Sequence, residues 1–213
     1  KAGDIPALVY NWDESCYDLS LYGKWLPVRP QFAVESVKLE NAGQPFSPYF
    51  LNHKYSDKAP LYSQFKSART RKLNGEPHGL PGIVPDRSGD CSIAPWPTMQ
   101  TSYRLCQAEA VTRQYPLDYA NLLAESYGAT GIYLDVFTNL DHIPCYDFSH
   151  NHPAGGGNWE STARRSLVDQ LRADVRQNHN SEFYTYSESQ NELFLKQFEL
   201  VFEHATWELI GPL

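Results

Sequence analysis

What this chain lacks narrows its function before any motif is read. No apolar run approaches the roughly 20 residues needed to cross a bilayer, so membrane insertion is not expected, and no signal peptide is visible. Clustered basic residues are also missing. The formal net charge is -7, and only Arg69-Thr70-Arg71-Lys72 is locally basic, a pattern that fits a solvated loop better than a nucleic-acid or anionic membrane surface. Four cysteines, Cys16, Cys91, Cys106 and Cys145, show no CxxC spacing, which argues against a structural zinc site; no metal or cofactor is assigned. Disulfides stay open, because sequence does not choose among the pairings or exclude free thiols. No internal repeat is present. The chain opens at Lys1 rather than Met, so it is expected to be a portion of a longer or processed protein, in an extracellular or secreted setting.

What is there suits one folded core. At 213 residues, 41% apolar and 20% charged, the chain has the composition of an ordinary globular domain. Aromatics reach 14%, with five Trp and fourteen Tyr. Such rings fill cores, and they also pack against the C–H faces of sugars.

The organisation alternates strand and helix. Residues 5–12 read as a first strand, followed by an aromatic and polar stretch, Asn11-Trp12-Asp13-Glu14. A helix over 32–41 carries Val34, Val37 and Leu39 and is closed by Gly43. A second strand covers 46–51. Residues 52–101 are rich in Gly, Pro and Ser with little periodicity, and read as a long surface excursion. Pro116 predicts the first position of a second helix, with Tyr119, Leu122, Leu123 and Tyr127 on one face and Gly128 as its left-handed terminator. The next strand, Gly131-Ile132-Tyr133-Leu134-Asp135, runs into a long loop over 139–158. Ala163, Leu167, Leu171 and Val175 then form one stripe of an amphipathic helix. A fourth strand over 182–187 runs into Glu188, a short helix passes Leu193 and Leu195, and a fifth strand covers 200–203. Strands separated by helices imply parallel pairing with right-handed crossovers. A closed eight-stranded barrel takes about 250 residues, so the expected fold is α/β, a (β/α)₈ TIM barrel that is partial in this chain, with about five strands visible in one catalytic-type domain over 1–213.

Two acids stand where such folds place chemistry. Strand side chains alternate, so Ile132 and Leu134 point one way while Tyr133 and Asp135 point the other. If the first pair packs on helices, Asp135 faces the barrel interior or a cleft at the carboxyl end, where ligands sit in parallel α/β folds. Asp135 and Glu188, ending successive strands, match the two-carboxylate requirement of glycoside hydrolysis. Glu192 and Glu203 are rivals for the acid role. The loop 142–159 holds Asp147, His150, His152, the run Gly155-Gly156-Gly157, and Trp159. Its glycines permit close backbone approach to a ligand at a helix start near Asn158. It is not a phosphate loop, since no Lys-Ser/Thr follows. His150, His152 and Asp147 either ligate a metal or rigidify the loop by hydrogen bonding.

The motifs Gly-Ile-Tyr-Leu-Asp at 131–135, Pro-Cys-Tyr-Asp at 144–147, His-Asn-His-Pro-Ala-Gly-Gly-Gly-Asn-Trp at 150–159 and Ser-Glu-Ser-Gln-Asn-Glu at 187–192 together resemble the glycoside-hydrolase-like barrels classed as a domain of unknown function. Those barrels are distantly similar to endo-α-N-acetylgalactosaminidases and to the α-galactosidase clan. The resemblance is best over 117–207 and weaker at Tyr10-Asn11-Trp12 and Pro48-Tyr49. It implies Asp135 as nucleophile and Glu188 as acid/base. Ser189 stands where the pattern has glycine, and Val136 where it has a polar residue.

Three functions follow as expectations. The first is a retaining glycosidase acting on an α-linked sugar of an oligosaccharide or glycan, with Asp135 and Glu188 catalytic and Tyr10, Trp12, Tyr49, Asp147, His150, His152, Gly156, Trp159 and Glu192 binding substrate. The second is a non-catalytic carbohydrate-binding or structural barrel within a larger assembly. The third is a metal-dependent hydrolase using His150, His152 and Asp147.

Overall fold

The computed structural model describes residues 6–9, 12, 26–59, 61–83, 99–138, 143–188 and 192–202. Five parallel strands form its main sheet: β1 (Ala7–Val9), β2 (Phe46–Phe50), β6 (Gly131–Leu134), β7 (Tyr184–Glu188) and β8 (Leu200–Phe202), in the order β1-β2-β6-β7-β8. Helix α1 (Pro30–Asn41) joins the first pair, α3 (Ala110–Tyr127) precedes β6, and α4 (Trp159–Asn178) joins β6 to β7. Each parallel strand lies beside the next one in sequence, with no reversal of order. That is the winding of a barrel wall, whereas a doubly wound sheet reverses at a switch point. Among the described residues the sheet is open from β1 to β8, so a mixed α/β fold with a barrel-like wall is present and a closed barrel is not formed.

The two faces differ as strand alternation requires. α1 packs on α3 and α3 on α4, making one helical layer. Phe46, Phe50, Ile132 and Leu134 are buried at 0% exposure on that side, with Phe50 against the rings of Tyr115 and Tyr119 of α3 at 5.3 and 5.5 Å. On the other face, Tyr49, Tyr133 and Tyr186 occupy matched positions across β2, β6 and β7. Their ring centroids lie 5.8 and 4.8 Å apart. One layer below, Ser47 donates its hydroxyl to Tyr184 Oη at 2.8 Å, and the Tyr184 ring crosses over Gly131, where an added Cβ would come within 2.5 Å of it.

Several sequence expectations need correction. Helix α1 buries Phe32 and Ser36, while Val34 and Val37 are exposed. The valines lie off the Phe32–Ser36 line that faces the sheet. Pro116 does not open α3; it lies inside a helix that begins at Ala110 after the extended N-cap Glu109. An internal proline loses a backbone hydrogen bond and strains the turn by about 3 kcal/mol. The offset comes from burial of Tyr115, Pro116 and Leu117, with Tyr115 packed against Tyr55 and Phe65 at 5.8 and 5.0 Å. The supposed irregular excursion after β2 contains β3 (Lys54–Ser56), the short helix α2 (Tyr62–Phe65), a 3₁₀ turn, β4 (Gly79–Ile83) and β5 (Met99–Arg104), with an antiparallel sheet in the order β3-β5-β4. Its strands leave little pattern in the sequence, because β3 has three residues and β4 carries Gly and Pro. Gly128 does end α3, at φ 68°, and Ala163, Leu167, Leu171 and Val175 are the buried stripe of α4. No helix among the described residues is long and apolar enough to cross a membrane.

Because Tyr184 is held by Ser47 and cannot swing freely, Gly131→Ala is expected to cost about 1–3 kcal/mol through overpacking. Urea unfolding measures it, and in a double-mutant cycle the loss should largely vanish on a Tyr184→Ala background.

Candidate active site

The carboxyl edge of the sheet gathers two acids and three tyrosines. Asp135 follows the last residue of β6, and its backbone N–H donates to Phe50 O at 2.9 Å, which ties the acid to the end of β2. Tyr49 Oη donates to Asp135 Oδ2 at 2.7 Å. Tyr133 Oη lies 3.3 Å from Asp135 Oδ1 and 3.2 Å from Glu188 Oε2, so one buried hydroxyl spans both acids. Those two legs bound the gap between the nearest oxygens at their combined length. Carboxyl groups of inverting glycosidases stand about 6.5–9.5 Å apart and those of retaining ones about 5–5.5 Å; as an upper limit, the bound admits the retaining spacing and only the lower edge of the inverting range.

The turn after Asp135 is strained and braced. Val136 takes φ 45°, a left-handed conformation that costs a β-branched residue on the order of 1–3 kcal/mol. Three contacts hold it there. Thr138 Oγ1 donates to the Glu188 backbone carbonyl, Ser187 Oγ donates to Leu134 O at 2.6 Å, and Arg164 of α4 donates to Phe137 O at 3.1 Å. Arg164 is 1% exposed, is paired with Glu160 one turn earlier, and lies over the Phe137 ring at 5.9 Å. An internal ion pair thus fixes the backbone that aims Asp135.

Burial raises the Asp135 pKa above its ordinary value, and the nearby Glu188 charge raises it further, against the lowering effect of hydrogen bonds from Tyr49, Tyr133 and the Val136 N–H. Lys54, just after β2 and partly desolvated, also feels the Asp135 charge.

The remaining sequence candidates that are described make other contacts. Trp12 is 0% exposed; its indole N–H donates to Tyr49 O at 2.6 Å and its ring packs on Phe32 at 5.9 Å. It therefore supports the strand carrying Tyr49 and offers no free ring to a sugar. Glu192 is exposed in a 3₁₀ turn over Glu192–Phe194. Tyr10 and Glu203 lie outside the described residues, as do Cys16 and Cys91.

The loop residues form a second cluster. Asp147 pairs with Arg71 at 2.6 Å, and His150 and His152 approach the thiols of Cys145 and Cys106 at 3.4 and 3.2 Å. Trp159 stacks on His152 at 3.7 Å. Gly155 pairs with Cys145 across a β-bridge, and Gly156 is exposed, with only Pro144 Cγ, at 4.0 Å, close to its missing side chain. Asp147 on Arg71 and His152 beside Cys106 thus pin the loop. Tyr133, Tyr186, Thr138 and Arg164 were missed as parts of the site. Tyr133 had a usable signal, since it lies two residues before Asp135 in a strand and must share its face.

The chain belongs to the family described as a domain of unknown function, DUF6259, whose profile matches residues 3–208. A Bacteroides thetaiotaomicron protein provisionally named a glycoside hydrolase is 21% identical over 168 residues, 78% of this chain and 23% of its own length. In fold, the chain is similar to α-N-acetylgalactosaminidase NagBb of Bifidobacterium bifidum, with TM-score 0.65 and 15% identity over 93% of this chain and 29% of that one. It is also similar to the α-galactosidase TtGalA of Thermus thermophilus, with TM-score 0.58 and 15% identity over 92% and 36%. A GH31 sulfoquinovosidase of E. rectale gives TM-score 0.59 at 12% identity over 93% and 29%. The chain spans about a quarter to a third of the length of these relatives. The family and the barrel-like neighbours agree with the resemblance carried by the motifs.

Since the folded-state pKa of Asp135 is raised, the stability linked to its protonation is present below the ordinary carboxylate pKa and is lost as pH rises through the folded value. Asp135→Asn is therefore expected to raise Tm relative to wild type near neutral pH, and the advantage should shrink on acidification, as read from Tm against pH between about 4 and 8. Tyr133→Phe should cost roughly 1.5–3 kcal/mol, the worth of a hydrogen bond to a charged group. It should also raise the Asp135 pKa further, which carboxyl NMR titration would measure.

Proposed function

We propose that this chain carries the catalytic pair of a retaining glycosidase acting on α-linked sugars, with Asp135 as nucleophile and Glu188 as general acid/base. The observation that supports it most is the single Tyr133 hydroxyl spanning two carboxylates at the ends of adjacent parallel strands. Asp135 accepts hydrogen bonds at both oxygens, which orients its carboxylate for attack on an anomeric carbon. Its partner, 6% exposed, would protonate the leaving oxygen and later deprotonate water. The names of the structural neighbours, an α-N-acetylgalactosaminidase and an α-galactosidase, make terminal α-galactosyl or α-N-acetylgalactosaminyl groups the first substrates to try.

The deep burial of Glu188 favours a second reading, a non-catalytic carbohydrate-binding barrel in which this acid only anchors Tyr133.

Assay of the purified protein on aryl α-glycosides separates the two. Asp135→Asn should lower kcat by more than about three orders of magnitude while sugar binding by calorimetry persists. Glu188→Gln should lose about 10²–10⁴-fold on poor leaving groups and much less on activated aryl glycosides, which need little protonation. Binding without turnover in wild type, across both sugar classes, establishes the binding barrel instead.

A further inference from the structure

The loop cluster gathers four side chains of the types that ligate metals, which contact one another in pairs. Cys106, Cys145, His150 and His152 each present one ligating atom, and all four atoms lie within 4.8 Å of one another. The two sulfur-to-nitrogen contacts, 3.2 and 3.4 Å, come within a few tenths of an ångström of the spacing of neighbouring ligands around a tetrahedral zinc. With Zn–S about 2.3 Å and Zn–N about 2.0–2.1 Å, ligand atoms stand roughly 3.3–3.8 Å apart. Cys106 and Cys145 are both free thiols and almost wholly buried, at 1% and 0% exposure.

The outer nitrogens of the two imidazoles supply an independent observation. His150 Nε2 lies 2.8 Å from Ser67 O, and His152 Nδ1 lies 2.8 Å from Pro153 O. A carbonyl only accepts, so each of those nitrogens carries the proton. That leaves His150 Nδ1 and His152 Nε2 as lone pairs, and these are the two atoms aimed into the cluster. Histidine ligands of metals are held this way, with the far N–H on a carbonyl fixing tautomer and ring plane. Trp159 fixes the second ring again by stacking on it at an interplanar angle of 8°. Backbone pairing sets the sulfurs: the Cys106 N–H donates to Ala68 O at 2.7 Å, and Cys145 exchanges two bonds with Gly155 at 3.3 and 2.7 Å.

We propose that Cys106, Cys145, His150 and His152 bind one structural Zn²⁺ that clips the loop after β6 to the junction between β5 and α3. Two thiolates and two imidazoles gathered within 4.8 Å select zinc over the hard cations, which want oxygen. Four protein ligands close the coordination shell, so the ion has no open position for water and no hydrolytic role. Asp147 stands outside the shell, 3.7 Å from His150 Nε2 and paired to Arg71, which separates this site from a His-His-Asp metal centre. No CxxC spacing marks this set in the sequence, because Cys106 reaches the others through the fold and not through a local motif. Asn151 adds to the clip by donating its N–H to Glu109, the N-cap of α3, at 3.0 Å. Binding would replace the two thiol protons with metal, so it releases acid and weakens at low pH.

The test is metal content and cobalt spectroscopy, neither of which depends on glycosidase activity. Protein purified from zinc-replete medium, analysed by plasma mass spectrometry, should carry roughly one Zn²⁺ per chain more than its Cys106→Ser/Cys145→Ser variant. The wild type reconstituted with Co²⁺ should show thiolate-to-cobalt charge transfer and the intense visible bands of a tetrahedral site. Chelation should lower its Tm and expose the 143–158 loop to protease before the sheet unfolds. If the double variant does not fold, the wild-type cobalt spectrum decides alone. Equal zinc in wild type and folded variant, a cobalt spectrum without thiolate bands, or a Cys106–Cys145 disulfide in a non-reducing peptide map overturns the proposal.

Discussion

The parallel register of β2, β6 and β7 is the constraint on which the carboxyl edge depends. It aligns Tyr49, Tyr133 and Tyr186 across three strands, and that row delivers two phenolic hydroxyls to Asp135 and one to Glu188. A slip of one residue in any of these strands would turn its tyrosine toward the helices, and in β6 or β7 would carry its acid away as well, because side chains alternate. Nothing in the acids themselves holds them together; like charges repel, and the one Tyr133 hydroxyl within reach of both has a single proton to donate.

Strain and support are paired at the same place. The left-handed Val136 turns the chain sharply at the end of β6, and a branched residue takes that conformation only where its surroundings over-determine it. Here they do so through Thr138, through Ser187, and through Arg164 reaching up from α4 to the Phe137 carbonyl. Removing one partner of an internal ion pair leaves the other charge uncompensated, so the Arg164–Glu160 pair couples the start of α4 to the aim of Asp135. Stability and site geometry are then one problem at this edge of the sheet.

The loop between β6 and α4 follows separate physics. Its organising groups are soft ligands, two sulfurs and two imidazole nitrogens, gathered where a glycine permits a β-bridge and an aromatic ring flattens a histidine. It shares the chain with the carboxylate pair, yet the polar contacts of residues 143–158 run to Ser67 and Arg71, on the excursion that follows β2, and to Cys106 and Glu109, between β5 and α3. That excursion, with its own antiparallel sheet, is the platform on which the loop rests.

Local pattern alone determined much of this protein. The stripe of Ala163, Leu167, Leu171 and Val175 fixes a buried helix face by its period; Gly128 ends α3 because it takes positive φ without penalty; the alternation in Gly131 to Asp135 places Tyr133 and the acid on one face. These features depend on neighbours a few residues away, and sequence displays such neighbours directly. Only the tertiary structure decided the rest. The interior position of Pro116 follows from Tyr115 burying itself against Phe65 and Tyr55, fifty and sixty positions earlier, and the exposure of Val34 and Val37 follows from which side of α1 meets the sheet. Trp12 became a support instead of a sugar platform for the same reason. Cys106 met Cys145, His150 and His152 because β5, α3 and β6 carry the chain out and back, and a distance closed by folding leaves no trace in spacing along the sequence.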